Sequence, residues 1–514
     1  MEPSLPLSQG SIMDTLELLW QLDTMGRAMQ YLDTSKSEPF SLQNFIGNQF
    51  LDSAHTSEWI DSPAPRSGNL LLKVPRSPAN VVDYAINVAH RAFTAWSQTP
   101  FQVRGLILLR IASIMEDKKD MFAIWESIDQ GKAIGRAQLE VDYAIEHFRY
   151  FATYILHDES AARLHKGAAE RTLMHKQRVP VGVCAIVVSS NMPIYLLTLK
   201  IAACLAFGCT GVAKPSERTS MTAFLLAEVL RQAELPPGVM NIIFGDGPGT
   251  GSTLICSPRI QGVSFSGGTE TRIQIRKDTA PDIGKHLCLG LRGISPTLVF
   301  GDVEIEQAAS AAAYAAFENS GQLCLSGSLI YVHRSIYNLF LHKLKTHIQD
   351  HYRLHIEVGP VVSKERYAKI RSLLIQAREE NAMFVTGDIP KEVPKNGFWV
   401  SPTVLSNVRN DSRLAREGIL GPVAIVCPFD DEEAVRLCND NPNAVGAVVL
   451  TDDLRRMSRV TEHLGAVLMW ANCCLGREFG AGFNDIRATG LGREGGEHSR
   501  DEFTRLQIKH FPVY

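Results

Sequence analysis

Cys324, in SGQLCLSG (320–327), follows a run of small residues, AASAAAYAAFEN, that predicts a helix. Past a helix end a cysteine is either a working nucleophile, whose thiolate attacks electrophilic carbon, or a small apolar filler of the core. Asn191, in VVSSNMP, stands where a strand runs into a helix. An asparagine there either caps the helix or donates its amide to a developing oxyanion. Lys214 and Glu217, in VAKPSERTS, end the next strand. Such a pair either grips the hydroxyls of a ribose or forms a solvated edge. GDGPGTGST (245–253) reads as a phosphate cradle or a plain strand-to-helix turn, and no acidic residue follows at dinucleotide-fingerprint spacing. No HExxH, paired CxxC or histidine cluster suggests a metal.

These residues need elements to hold them. Helical spacing appears in PANVVDYAINVAHRAFTAW and in two further stretches between about 103 and 155. From 180 onward strands alternate with helices: VGVCAIVV, IYLLTLKIAACLAF, CTGVAKP, SMTAFLLAEVLRQAEL, GVMNIIFG and IQGVSFSG. A second such run spans about 290 to 470, with helices predicted over 304–319 and 335–350. This rhythm predicts an α/β protein of two doubly wound units with parallel sheets, and ligands then sit beyond the carboxyl ends of the strands. DESAARLHKGAAERTLMHKQR (158–178) breaks the rhythm and reads as an exposed hairpin used in assembly; Ile12 to Leu22 reads as a short amphipathic helix.

The 514 residues are too many for one ordinary core. With 45% hydrophobic and 21% charged residues, the composition is that of a globular protein. A net charge of −3 gives no reason to expect nucleic-acid or anionic-membrane binding. No apolar run reaches the roughly 20 residues of a membrane span, and the N-terminus lacks a basic leader. Ten cysteines without regular spacing fit a reducing, cytoplasmic setting, with Cys473 and Cys474 as packing residues.

Taken in order, five segments resemble the aldehyde dehydrogenase superfamily. They are VVSSNMPIYLLTLKIAACLAFGCTGVAKPSERTSMTA, GVMNIIFGDGPGTG, VSFSGGTE, FENSGQLCLSGS and GLGREGG. IDQGKAIGRA, PIYLLTLK and WANCCLGREF lean towards the branch that handles 2-aminomuconate semialdehyde. The resemblance implies an aldehyde dehydrogenase-like α/β fold with a small bridging arm that builds homodimers or homotetramers. Its implied parts are an N-terminal extension (1–40), a cofactor domain (41–157 and 180–289), a catalytic domain (290–480) and the arm (158–179 and 481–514). It makes Cys324 the nucleophile, Asn191 the oxyanion donor and Glu494 a carboxylate able to relay protons. NAD would be held by Lys214, Ser216, Glu217, Gly247, Gly267 and Gly268, with Glu217 repelling the extra phosphate of NADP. Arg477 and Tyr143 would meet the substrate, an aldehyde or conjugated carbonyl.

The departures from the family pattern bear on the same reaction. Gly290 stands where the general-base glutamate belongs, and Gly418 where a glutamate holds the nicotinamide ribose. Leu420, Ser190, Arg292 and the segment GAGFNDIRATG also differ from the pattern. Tyr143 stands where the branch would carry a carboxylate-reading arginine. Three readings follow: a divergent NAD-dependent dehydrogenase slow in deacylation, a non-oxidative isomerase or condensing enzyme reusing Cys324 and Asn191, and a non-catalytic member of the fold. Glu318, six residues before Cys324, is a further candidate carboxylate, with a solvated helix face as its plainer role. Arg292 and Arg477 would accommodate an anion or form structural salt bridges.

Overall fold

The computed structural model describes residues 10–33, 38–51, 58–157, 162–166, 171–290, 293, 295–392, 396–430, 433–441, 443–476, 478–484 and 490–512. Two seven-stranded sheets organise these residues. The first runs, edge to edge, through His286–Gly290, Gly262–Ser266, Val183–Val187, Thr210–Lys214 and Met240–Ile242, and then the short Phe45–Ile46 and Gln49–Phe50. Its first five strands are parallel and the last two join antiparallel. In the second sheet Thr403–Ser406, Val423–Phe429, Leu329–His333, Pro296–Val299, Gly446–Leu450 and Leu468–Ala471 are parallel, with Met383–Thr386 antiparallel at one edge.

Parallel strands are covered by helices on both faces, so they read as continuous apolar runs rather than alternating ones. Every residue of Thr210–Lys214 and of Gly446–Leu450 is buried accordingly. The helix Pro193–Ala206 is buried along its whole length, which makes it a core element and no amphipathic cover. Between 101 and 154 the chain forms three helices, not two, because Lys118 and a left-handed Gly131 separate Phe101–Asp117, Lys119–Gln130 and Ile134–Tyr154. The helix Gly10–Gln21 inserts Leu16 and Leu19 into the same core.

Residues 162–180 form two antiparallel strands, Ala162–Lys166 and Arg171–Pro180. The C-terminal strand Thr504–Pro512 pairs with the second and becomes the free edge of a three-stranded sheet. Among the described residues no helix is long and apolar enough to cross a membrane.

Candidate active site

The helix Ile305–Phe317 ends just before the cysteine, and the chain then takes an unusual path. Asn319, Ser320 and Gly321 run left-handed in succession, with φ of 52°, 54° and 66°. Such a stretch persists only where its surroundings hold it. The Ser320 hydroxyl accepts from the Gly359 amide at 3.0 Å and donates to the Gly359 carbonyl at 3.1 Å. Gln322 Oε1 accepts from the Val362 amide at 3.0 Å, and the Gly421 amide donates to the Gly321 carbonyl at 3.1 Å. A Cβ at Gly321 would run into the Gly421 carbonyl, so only glycine fits there. Cys324 emerges from this loop half-buried.

Asn191 is not a helix cap: Met192 occupies that position, without a side-chain cap bond. Its Nδ2 donates instead to the Gln322 carbonyl at 3.0 Å, two residues before Cys324. The Ser189 hydroxyl donates to its Oδ1 at 2.7 Å, and the Asn319 amide donates to its carbonyl at 2.9 Å. These bonds orient the amide, and an amide nitrogen carries two hydrogens, so one remains for another acceptor.

A narrow cavity of about 50 Å³ opens on Cys324. Its walls include Tyr143, Tyr195, Tyr314, Leu139, Leu475 and Arg136. Tyr143 meets Tyr195 and Phe479 edge-on, both with ring centroids 5.8 Å apart, which builds a rigid aromatic side. The charge of Arg136 is already matched: its guanidinium meets Glu140 at 3.1 Å and Glu318 at 3.2 Å. Burial pushes the Glu318 carboxyl up, with Arg136 opposing, so Glu318 is a half-buried ion-pair partner behind the cavity wall's Arg136 and no solvated helix face. Arg477 and Arg292 lie outside the described residues.

The strand end that carries Gly290 is built differently. Gly290 ends the strand His286–Gly290, paired in parallel register with Ser266 of the neighbouring strand. Leu491 bridges Leu289, which lays the strand Arg493–Glu494 beside it. Glu494 is buried and its Oε1 accepts from the Lys200 ammonium, which also donates to the Ser264 hydroxyl at 3.0 Å. A second carboxylate, Glu502 of the helix Gly496–Phe503, is buried at the same place. Burial, opposed by Lys200 and reinforced by the Glu494 charge, leaves the Glu502 carboxyl raised to about 7. Burial works against the Lys200 ammonium, yet Glu494 and Glu502 together hold it above the ordinary lysine range. No motif flagged Lys200 or Glu502.

Gly418 has φ 64° and ψ 161°, a backbone region that is essentially glycine-only. No side chain could be restored there without moving the loop.

Beyond the strand ends at Val187 and Phe265 lies a larger cavity of about 530 Å³, walled by Gly247, Gly251, Glu270 and Gln274 among others. Gly268 precedes the helix Thr269–Thr279 that supplies Glu270 and Gln274, and Gly267 packs on the Phe265 ring. Asp246 receives the Gly249 and Thr250 amides at 2.9 and 3.2 Å, tightening the glycine turn. Lys214 lies behind Gly251, where a Cβ would come within 3.4 Å of its Cε. It donates to the Pro215 and Gly245 carbonyls and meets Glu217 at 3.7 Å. Burial pulls its ammonium below the ordinary lysine range, with Glu217 opposing. Ser216 and Glu217 follow half-buried at the strand end. A roomy cleft at strand ends beside a glycine turn has the place and size of a nucleotide site, and of the residues expected to hold NAD it has Gly247 among its walls.

One cysteine expectation is corrected. Cys473 is exposed, and only Cys474 packs into the core, where burial raises its thiol to about 11. All ten cysteines are unpaired with respect to disulfides.

Comparisons with known proteins show which family and fold the chain shares. Residues 50–509 match the model of the aldehyde dehydrogenase family. The chain is 36% identical over 486 residues to the 2-aminomuconic semialdehyde dehydrogenase of Mus musculus, covering 92% of this chain and 98% of that protein. Among solved structures, the aldehyde dehydrogenase KauB from Pseudomonas aeruginosa superposes with a TM-score of 0.90 at 28% identity, covering 95% of this chain and 100% of that one. An NAD+ complex of an aldehyde dehydrogenase from Bacillus cereus superposes with a TM-score of 0.88 at 27% identity, covering 95% of this chain and 99% of that one.

Proposed function

The chain belongs to the aldehyde dehydrogenase family, and from that premise we propose that it is a divergent, NAD-dependent aldehyde dehydrogenase, fast in capture and slow in release. The observation that carries this reading is the nucleophile loop, with Cys324 on a cavity and the Asn191 amide bonded to the Gln322 carbonyl at 3.0 Å. In the reaction, the Cys324 sulfur adds to the aldehyde carbon. Asn191 Nδ2 and the Cys324 backbone N–H stabilise the oxyanion, an arrangement worth about 3 to 4 kcal/mol per donor. NAD, when bound, supplies the acceptor for the hydride that leaves that carbon. Water then attacks the thioester, the C–S bond breaks, and Cys324 departs as thiolate. With no carboxylate at position 290, Glu494 relays the proton through water. Loss of a positioned base slows such a step by roughly 10²- to 10⁴-fold.

The cavity favours an aldehyde with a slim, uncharged or aromatic body, because its walls are tyrosine and leucine and its arginine is neutralised by two carboxylates. A semialdehyde bearing a carboxylate fits these described walls poorly. Assembly into homodimers or homotetramers is supported by the free edge strand Thr504–Pro512, which exposes Leu506, Ile508 and Phe511.

A second reading is favoured by Gly418, whose backbone excludes the missing ribose-holding side chain: Cys324 then adds reversibly to a carbonyl or conjugated alkene without net oxidation. Mixing the protein with NAD and a panel of aldehydes, while following NADH and intact mass, separates the two. A stoichiometric NADH burst with an acyl adduct on Cys324 supports the dehydrogenase. Adduct or rearranged substrate without NADH overturns it in favour of the second reading.

A further inference from the structure

The lost carboxylate at 290 has a neighbour that the reaction has not yet used. In the parallel register Ser264 lies opposite Cys288 and Ser266 opposite Gly290. Residues two apart on a strand share a face, so Cys288 and Gly290 are about 7 Å apart on one side of the sheet. Lys200 donates to the Ser264 hydroxyl and to Glu494, which places that pair one pleat below Gly290. Glu502 is buried on the helix that follows Glu494, with neither carboxyl oxygen hydrogen-bonded among the described residues. The charges of Lys200 and Glu494, joined to each other, both act on Glu502. At the level of Gly290, the buried Ser266 hydroxyl has no hydrogen-bond partner among the described residues, and neither does Glu494 Oε2. With both Glu502 carboxyl oxygens also unpartnered, these orphaned polar atoms mark a polar site in an otherwise apolar interior.

Charge explains what the second carboxylate does. One ammonium beside one carboxylate is a neutral pair with little tendency to bind a proton. One ammonium beside two carboxylates keeps a net negative charge and accepts one proton, since two like charges at one site cannot both stay ionised cheaply. We propose that Glu502 is the positioning residue that makes the Lys200–Glu494 pair a proton acceptor for thioester hydrolysis, in place of the carboxylate absent at 290. In that step the water O–H breaks and its proton passes to the Glu494–Glu502 cluster. The water oxygen forms the C–O bond, the C–S bond breaks, and Cys324 leaves as thiolate; the cluster later returns the proton to solvent. This inference rests on Cys324 being the acylated group, and it does not require hydride transfer. The near-neutral Glu502 carboxyl agrees with it. The ionisable groups facing Glu502 are Lys200 and Cys204 from the helix Pro193–Ala206, Cys288 from the strand His286–Gly290, and Glu494 from the strand Arg493–Glu494.

The test acylates the full-length enzyme with p-nitrophenyl acetate, without NAD, and follows loss of the acetyl mass across pH. The parent enzyme should deacylate with a rate that rises as pH passes through about 7. Glu502→Gln should slow deacylation about 10²-fold and remove the near-neutral inflection. Glu502→Asp, which keeps a carboxylate with shorter reach, should keep the inflection at a reduced rate. A purely structural role for Glu502 would change thermal stability without moving the inflection. If both variants deacylate with the parent's rate and pH profile, the inference is overturned while the dehydrogenase reading stands. If no acetyl adduct forms on Cys324, both fall together.

Discussion

The two sides of the candidate site are held by opposite means. On the capture side, Asn319, Ser320 and Gly321 hold a costly left-handed path, fastened by the backbone amides of Gly359 on the Ser320 hydroxyl, Gly421 on the Gly321 carbonyl and Val362 on the next side chain, Gln322. That rigidity presents Cys324 and orients Asn191. On the release side, the two positions where the family carries glutamates are glycines, and charge is handled by Lys200, Glu494 and Glu502 within the core. Adding to a carbonyl depends on placement, whereas hydrolysing a thioester depends on where a proton can go. A chain can therefore keep the first machinery intact while rebuilding the second from other residues.

The largest effect that sharpens this contrast is expected at the nucleophile. Cys324→Ala should abolish both the NADH burst and the adduct, a loss on the order of 10⁴-fold or more in burst rate. Any remaining burst would move the chemistry to another residue. Next, Asn191→Ala should slow acylation by roughly 10²- to 10³-fold with little change in deacylation, read by stopped-flow NADH formation. An equal loss in both phases would mean the side chain only supports the loop.

The glycine positions should then respond unequally. Gly290→Glu, at the end of a regular strand, should raise steady-state turnover by roughly 10²-fold while leaving the burst unchanged. Gly418→Glu should yield no gain and cost about 1–3 kcal/mol in stability by chemical denaturation, since φ 64° and ψ 161° suit glycine alone. A gain from Gly418→Glu would contradict the loop geometry.

The smallest effect concerns pH. Glu502 is raised from 4.5 to about 7 in the folded chain, mainly by burial. Between those values the folded state binds more protons than the unfolded one, so stability falls as pH rises. The full fall is of order 3 kcal/mol across that window. Glu502→Gln should flatten it, as measured by urea midpoints at pH 5 and pH 7.5, and an unchanged slope would remove Glu502 as its source.

Local pattern carried much of the architecture. Runs such as VGVCAIVV and CTGVAKP announce buried parallel strands because both faces must be apolar, and IYLLTLKIAACLAF announces a fully covered helix. Local pattern left Cys324 and Asn191 open; the family resemblance singled them out, and the structure brings the Asn191 amide to the Gln322 carbonyl, two residues before Cys324. Arg136 was not readable as a wall group, because nothing near IDQGKAIGRA shows that it faces a cysteine 188 positions later. Glu502 was equally hidden: in REGGEHSRDEF it looks like one more charge on a polar helix.

Residue type and order alone determined the α/β alternation and the glycines at 290 and 418, while the resemblance to the family singled out Cys324 and Asn191. The alternation follows from local apolar pattern. Only the tertiary structure decided what became of the charge. The bridge from Leu289 to Leu491 brings Glu494 beside Lys200, nearly 300 residues earlier, and the helix Gly496–Phe503 adds Glu502 to the same buried place. A carboxylate's ability to accept a proton depends on burial and on the charges within a few ångströms, and neither is a property of its neighbours in the chain.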